Sequence, residues 1–398
     1  MSGAATRRPV VLVMMGAFWP QSESSGPNIS LKGLCQALSD EFDFRILARD
    51  RPFGAANPLA ESGVWIDQGY ARILYCAIGW HGARRLWKIL RETPFDILWL
   101  QGVQDREFSI PALILRRLGL IRAPVALLST RGEFAHGAQA LKSGRKQAWL
   151  AVVRATRMLA DIWLHATGPR EREDMMRRLS FARGIVEAPN VRAMIDMPHH
   201  AAAADSSILR LVFLGRISPV KNLDVALEVL GTVKARVAFD IYGPISDADY
   251  WTRRCLPLIA GLPANITAAY RGEIANEAVP AMLANADLLF LPTAGENFGH
   301  AIFEALACGV PALISDQTPW RDLCAQNAGW DLPLDKPGQF AATIDRLAAM
   351  PAAERRAWRQ GARRMAERWH TASDGASASR AMLRQVLAPV PGAEKSPP

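Results

Sequence analysis

Short unbroken apolar runs recur along the chain, each followed by a turn and then by a segment whose apolar residues stand three to four apart. The runs at Val10–Met15, 44–48, 73–77, 97–100, Val125–Ser129, 162–166 and 185–187 read as strands. Unbroken apolar runs, as opposed to alternating ones, mark strands buried on both faces, and strands separated by helical patterns give a parallel sheet. The pattern restarts with 211–214, Val237–Tyr242, a strand within 265–274, and Leu288–Leu291. The fold class is therefore α/β, with two sheets. Asn28 or Ser30 is expected to cap the first helix. A helix is expected from Asp224 onward and another in AIFEALACG, stopping at Gly309 before Pro311. From Gly338 to about Leu387 the pattern is helical again.

Between the two series the segment around 198–207 is rich in small and polar residues, as a linker is. This divides the chain into a first domain over 1–195, a linker over 196–207, a second domain over 208–370, a C-terminal helix over 371–388 and a disordered tail over 389–398. With 398 residues the chain is long enough for two cores.

No apolar run reaches the roughly 18 residues needed to span a bilayer, and the first residues enter a strand without a signal-peptide pattern. The expected compartment is the cytoplasm. Cys35, Cys76, Cys255, Cys308 and Cys324 form no CxxC pair and read as reduced packing residues. The net charge of +9 is not gathered into any nucleic-acid motif, so no nucleic-acid partner is expected. Between Lys142 and Arg183, ten Lys/Arg stand against four Asp/Glu, with Trp149 and Trp163 among them. That mixture suits an anionic membrane surface, and equally a solvated helix face.

Candidate chemistry concentrates where strands end. After Leu288–Leu291 a loop carries Glu296, and a helix starting near Phe298 would present backbone N–H groups of Asn297, Phe298, Gly299 and His300 to an anion. Glu304 would then lie about 8 Å further along the helix axis. Read on spacing alone, Glu304 is as well a solvated helix residue and Glu296 a helix-cap acid. After 211–214 comes Gly215, with Arg216 and Lys221 bracketing a strand-to-helix turn. Fixed cations there would stabilise an anion whose charge grows during a reaction more than its bound ground state. Gly243 ends Val237–Tyr242, another strand end where a ligand could lie. The Asp247-Ala-Asp249 triplet has the form of a metal motif, but its spacing is common by chance, and no metal site is expected. His199 and His200 are adjacent, point apart, and belong to the linker.

These stretches resemble the donor-site signature of the retaining glycosyltransferases of family four. That family's GT-B fold has two Rossmann-like domains with parallel sheets facing across a cleft. The resemblance implies that Glu296 contacts the transferred sugar and Glu304 the ribose. It also implies that Arg216 and Lys221 hold the phosphates, and that Gly26, in the Ser-Ser-Gly-Pro turn after the first strand, faces them. The segment STRGEFAHGAQALKSGRKQ, 129–147, is similar to one in a branch that builds surface polysaccharides. It puts Arg131 near the place where many relatives have a sugar-contacting histidine, with His136 five residues later.

The function so implied is metal-independent transfer of a sugar, with retention, from a nucleotide-sugar donor. The expected acceptor is a saccharide, lipid-linked and at the inner face of the membrane, and no cofactor is needed beyond the substrate itself. The catalytic set is Arg216, Lys221 and Glu296, and the donor-binding set is Gly26, Arg131, Gly215, Gly243, Asn297, Phe298, Gly299 and Glu304. A sugar-nucleotide epimerase of the same architecture, and a non-catalytic scaffold with a kept donor pocket, are the alternatives.

Overall fold

The computed structural model describes residues 7–18, 26–51, 57–77, 82–134, 143–195 and 208–388, except the side chains of 83, 143, 145 and 146. The expectations for the turn at Ser24, His136, Lys142, the side chains of Arg145 and Lys146, the linker over 196–207 with His199 and His200, and the tail over 389–398 lie outside that description.

Two compact units are present. The first comprises Met1–Phe134, Gln139–Arg192 and Asp374–Pro398, and the second is mainly Ala193–Ser373. In the first, eight strands are β1 (Val10–Met15), β2 (Asp43–Arg49), β3 (Trp65–Asp67), β4 (Arg72–Cys76), β5 (Ile97–Gln101), β6 (Val125–Ser129), β7 (Trp163–Ala166) and β8 (Gly184–Glu187). Their order is β3-β4-β2-β1-β5-β6-β7-β8, parallel throughout except that β3 runs antiparallel to β4. Three-residue β3 gives too short an apolar run to be read from sequence.

The unbroken apolar strands lie at the centre, as their pattern requires. Every residue of β1 and of β5 is buried. Alternate β1 side chains serve different layers. Val10, Leu12 and Met14 pack with Leu98, Phe108 and Leu113, while Val11, Val13 and Met15 pack with Leu31, Leu34 and the C-terminal Met382, Leu383 and Val386. The helix Gly375–Leu387 is thus part of the first unit's core. Arg380 and Arg384 also pair with Glu41. The first helix begins at Gly26, so Asn28 and Ser30 do not cap it; both are buried within it.

The second unit has six strands: β9 (Leu209–Leu214), β10 (Val237–Tyr242), β11 (Ile266–Gly272), β12 (Leu288–Leu291), β13 (Ala312–Ser315) and β14 (Gly329–Leu332). Their order is β11-β10-β9-β12-β13-β14, and all neighbours are parallel. Central β12 is buried throughout, whereas β10, one strand from the edge, alternates buried and half-buried positions. The continuous helical pattern expected from Gly338 to Leu387 is three helices, Pro337–Ala349, Ala352–Ala372 and Gly375–Leu387. Pro351 and Asp374 stand at the breaks. Four of the cysteines are buried, but Cys324 is exposed and so is not a packing residue.

Candidate active site

Strand order reverses direction between β9 and β12. The chain moves outward through β10 and β11 on one side and through β13 and β14 on the other. Loops leaving the carboxyl ends of the two adjoining strands therefore diverge and leave a crevice, the usual ligand position in an open α/β sheet. The loop after β9 holds Gly215, exposed Arg216, the short turn Pro219–Lys221 and Asn222, and it leads into the helix Leu223–Leu230. The loop after β12 runs from Pro292 to Gly299.

Backbone and short polar side chains lace these loops together. Ala294 N–H donates to the Val220 carbonyl at 2.8 Å, and Asn222 Nδ2 donates to the Pro292 carbonyl at 2.9 Å. The fully buried Thr293 hydroxyl lies 3.1 Å from the Val220 carbonyl oxygen and 3.0 Å from that of Gly295. The Ser315 hydroxyl donates to the Thr293 carbonyl, and Glu296 N–H to the Gln317 carbonyl at 3.3 Å. Asn222 adopts φ 53°, a left-handed conformation that asparagine tolerates better than most residues. Sequence reasoning passed over Asn222, Thr293 and Ser315; a lone Asn or Thr beside a turn has no spacing signature.

On this frame Lys221 Nζ forms an ion pair with Glu296 Oε1, the two side chains keeping 17% and 11% of their exposure. A residue from each loop is thus held by the other, and both remain reachable. Glu304 is 5% exposed, so it is not a solvated helix residue. Its helix, His300–Ala307, begins two residues later than expected, which shortens the rise from the first helical residue to Glu304 to about 6 Å. Gly299 takes φ 81° at the N-cap, where a Cβ would come 2.8 Å from Ile302 Cδ1. Phe298 is an aromatic-core anchor. Its ring packs 4.7 Å from that of Trp369, and its carbonyl accepts from Trp320 Nε1 at 2.6 Å. Trp320 is core too, at 3% exposure. Asn297 is half-buried on the loop.

Gly243 follows β10 and Gly215 follows β9, and their backbones nearly touch. A Cβ on Gly243 would lie 2.1 Å from the Gly215 carbonyl oxygen, at a φ of 135°. That contact explains the glycine without any ligand. Asp247 spends its carboxylate capping a turn, accepting from Tyr250 N–H at 2.9 Å, and Asp249 lies 3.6 Å from Arg253. No group of three or more His, Cys, Asp or Glu among the described residues is arranged to hold a metal ion.

Gly26 opens the helix Gly26–Leu38 of the first unit. Arg131 also belongs to this unit, and its surroundings contain the residues that sequence reading missed. It follows β6 at φ 50°. Its Nε donates to Gln101 Oε1 at 2.7 Å and its Nη1 to Asn190 Oδ1 at 3.1 Å. Burial brings the guanidinium down to about 10, opposed by the nearby Glu171 charge. Glu171 accepts from the Thr130 hydroxyl (2.7 Å), Gly132 N–H (2.8 Å), Thr167 N–H (2.9 Å) and the Thr167 hydroxyl (2.7 Å). Burial pushes this carboxyl up, but the four donors outweigh it and leave it below the ordinary glutamate range.

Beneath lies a directional chain. Trp99 Nε1 donates to Ser129 Oγ at 2.8 Å, Ser129 Oγ is 2.8 Å from His165 Nδ1, and His165 Nε2 is 2.9 Å from the Ala188 carbonyl. A carbonyl only accepts, so Nε2 carries the hydrogen and Nδ1 accepts from Ser129. Burial, and then the Arg131 charge, hold this imidazole neutral, down at about 4. These residues are scattered from 99 to 190, and nothing in local spacing connects them.

The two tryptophans of the basic segment are half-buried. Trp149 donates its indole N–H to the Val103 carbonyl at 3.0 Å, and Trp163, on β7, lies under the Arg183 guanidinium.

Residues 202–365 match the family described as Glycosyl transferases group 1. Over 163 residues the chain is 31% identical to a Mycobacterium tuberculosis GDP-mannose-dependent alpha-(1-6)-phosphatidylinositol dimannoside mannosyltransferase, covering 39% of this chain and 39% of that one. A putative colanic acid biosynthesis glycosyltransferase, WcaL, from Salmonella typhimurium is 29% identical over 159 residues, 38% of this chain and 39% of its own. The chain thus matches about two fifths of the length of these curated relatives. Among solved structures, sucrose-phosphate synthase from Thermosynechococcus elongatus has a TM-score of 0.70 at 16% identity, covering 96% of this chain and 99% of its own. The fold is GT-B, two Rossmann-like α/β domains, and the matched family lies on the second unit.

Proposed function

We propose that the chain is a retaining glycosyltransferase that moves a sugar from a nucleotide-sugar donor to a saccharide acceptor in surface polysaccharide assembly, without a divalent metal. The observation that carries this reading is the Lys221–Glu296 pair at the point where strand order reverses, with Arg216 exposed on the same turn. A diphosphate entering there competes with Glu296 for Lys221 Nζ. The released carboxylate then turns to the hydroxyls of the sugar, so one exchange places both halves of the donor.

The bond between the anomeric carbon and the phosphate oxygen breaks as negative charge grows on that oxygen. Arg216 and Lys221 stabilise this charge more than that of the intact donor. The acceptor oxygen bonds to the anomeric carbon on the face the phosphate leaves, and its proton passes to the departing phosphate. Glu304, buried one turn into its helix, is assigned to the ribose, and the backbones of Gly215, Gly243, Asn297, Phe298 and Gly299 are assigned to the pocket wall.

The lipid-linked acceptor is supported by exposed Leu118 and Leu120 beside Arg117 and Arg122 in sequence, a mixture of apolar and cationic groups suited to an anionic bilayer surface. No helix among the described residues is long and apolar enough to cross a membrane. Flotation of the protein with anionic liposomes at physiological salt tests this part, and protein left wholly in solution refutes it.

The donor assignment is tested by thermal shift without metal, beginning with GDP-mannose and continuing through UDP-, ADP- and dTDP-sugars. A ligand at about 100 times its Kd stabilises by about 2.7 kcal/mol. A shift with one nucleotide that disappears in Glu304→Ala is the expected result. Binding without turnover would favour the scaffold, and product retaining the nucleotide the epimerase.

A further inference from the structure

The first unit holds a buried cation, Arg131, that no carboxylate among the described residues bonds directly. Arg131 makes two hydrogen bonds, both to neutral amide oxygens, and forms no ion pair among the described residues. Glu171, the carboxylate whose charge acts on Arg131, already accepts four hydrogen bonds, two on each oxygen, from donors other than Arg131. The imidazole of His165 below is committed to Ser129 and Ala188. A guanidinium removed from water is costly unless a counter-charge bonds it directly, and the Glu171 charge acts on Arg131 without such a bond.

A second observation points the same way. Gln101 is 7% exposed, and its Nε2 donates to nothing among the described residues. The amide orientation is settled by Arg131, whose Nε must meet an oxygen, so the orphaned atom is a donor. A buried donor without a described partner, on the amide that bonds the Arg131 guanidinium, is half of an anion site. Both groups sit at carboxyl ends of neighbouring strands, Gln101 ending β5 and Arg131 following β6. Arg131 holds its left-handed backbone there, a conformation costly for a long side chain and concentrated at ligand-binding positions.

We propose that Arg131, with Gln101 and Asn190 fixing its fork, is an oxyanion-binding subsite of the first unit that takes the carboxylate or phosphate of an anionic saccharide. Planar, bidentate recognition of either oxyanion is what a guanidinium provides and an ammonium does not. The subsite deepens the transferase reading, on which its acceptor role rests, by naming the charge class of that acceptor.

The test is a calorimetric titration of the full chain with glucose 6-phosphate, glucuronic acid, inorganic phosphate and glucose, with no donor present. Glucose 6-phosphate or glucuronic acid should bind at least tenfold tighter than glucose. Preference for glucose 6-phosphate and inorganic phosphate identifies a phosphate, and preference for glucuronic acid a carboxylate. Gln101→Glu and Asn190→Asp each place a carboxylate against Arg131 and should weaken the anionic sugar at least tenfold while thermal unfolding confirms the fold. Equal binding of glucose, no binding of any anionic probe by the folded wild type, or full binding retained in both variants overturns the proposal. The titration needs neither donor nor turnover, so its failure leaves the nucleotide-sugar reading standing. Failure of the nucleotide-sugar thermal shift likewise leaves this subsite standing.

Discussion

The two units carry comparable sheets, yet the charged groups at their strand ends are held in opposite ways. In the second unit Lys221 and Glu296 neutralise each other while staying within reach of solvent, on loops fixed by backbone hydrogen bonds. In the first, the described hydrogen bonds of Glu171 come from neutral donors and those of Arg131 go to neutral acceptors, while the two opposite charges act on each other without a hydrogen bond between them. A mutual ion pair can be exchanged for a ligand at modest cost because both members have somewhere to go. Charges held by neutral partners stay put and are poised to take a ligand without leaving a partner. The first arrangement suits a group that must form and break contacts in every turnover, the second a group that reads its ligand.

The comparison breaks most severely where backbones touch. Gly243→Ala would force a Cβ to within 2.1 Å of the Gly215 carbonyl, and a loss of about 4 kcal/mol or more is expected. Denaturant unfolding of the second unit measures it, and a change under 1 kcal/mol would show the loops to be far more pliable than their lacing implies.

Lys221→Ala removes one half of the exchangeable pair. Turnover should fall about a hundredfold or more, equivalent to about 3 kcal/mol of lost charge stabilisation. Folded protein with wild-type turnover would remove Lys221 from the chemistry.

Protonating the first unit probes its locked network. His165 in the folded state lies at about 4, below its unfolded value of about 6.5, so between those values the unfolded chain binds more protons and stability falls as pH falls. The loss on going from pH 6.5 to 4 is about 3 kcal/mol, at 1.36 kcal/mol per unit. Glu171, whose folded value is lowered, adds a further loss only below about pH 4.3, its unfolded value. Chemical unfolding from pH 7 to 4 should show the steep segment, and His165→Asn should flatten it. A pH-independent curve in the wild type would mean that the Ser129–His165–Ala188 chain is not closed in solution.

The smallest effect belongs to Glu41→Ala, which frees Arg380 and Arg384 at a half-exposed site. Because Met382, Leu383 and Val386 still pack into the core, the midpoint of unfolding should hardly move. Hydrogen exchange should report faster opening of Gly375–Leu387 alone. A large fall in the midpoint would show that these ion pairs, and not the apolar face, hold the helix.

Much of the second unit was legible because its chemistry is local. The strands around the crevice are unbroken apolar runs, and Arg216, Lys221, Glu296 and Glu304 stand at short, regular distances from strand ends. What escaped there is the frame: Asn222, Thr293 and Ser315 act on backbone carbonyls of another loop, and no spacing announces such a contact. In the first unit the proportions are reversed. Arg131 was visible, but Gln101, His165, Glu171 and Asn190 gain their meaning only from one another.

By itself the sequence determined two α/β cores, because burial on both faces demands unbroken apolar strands and the chain writes them twice. It also determined where charge would stand at strand ends, because a turn must follow each buried run. Only the tertiary structure decided which charges meet. Lys221 found Glu296 and Arg131 found amides because strand order brings together loops far apart along the chain, and electrostatic partners are chosen by distance in space.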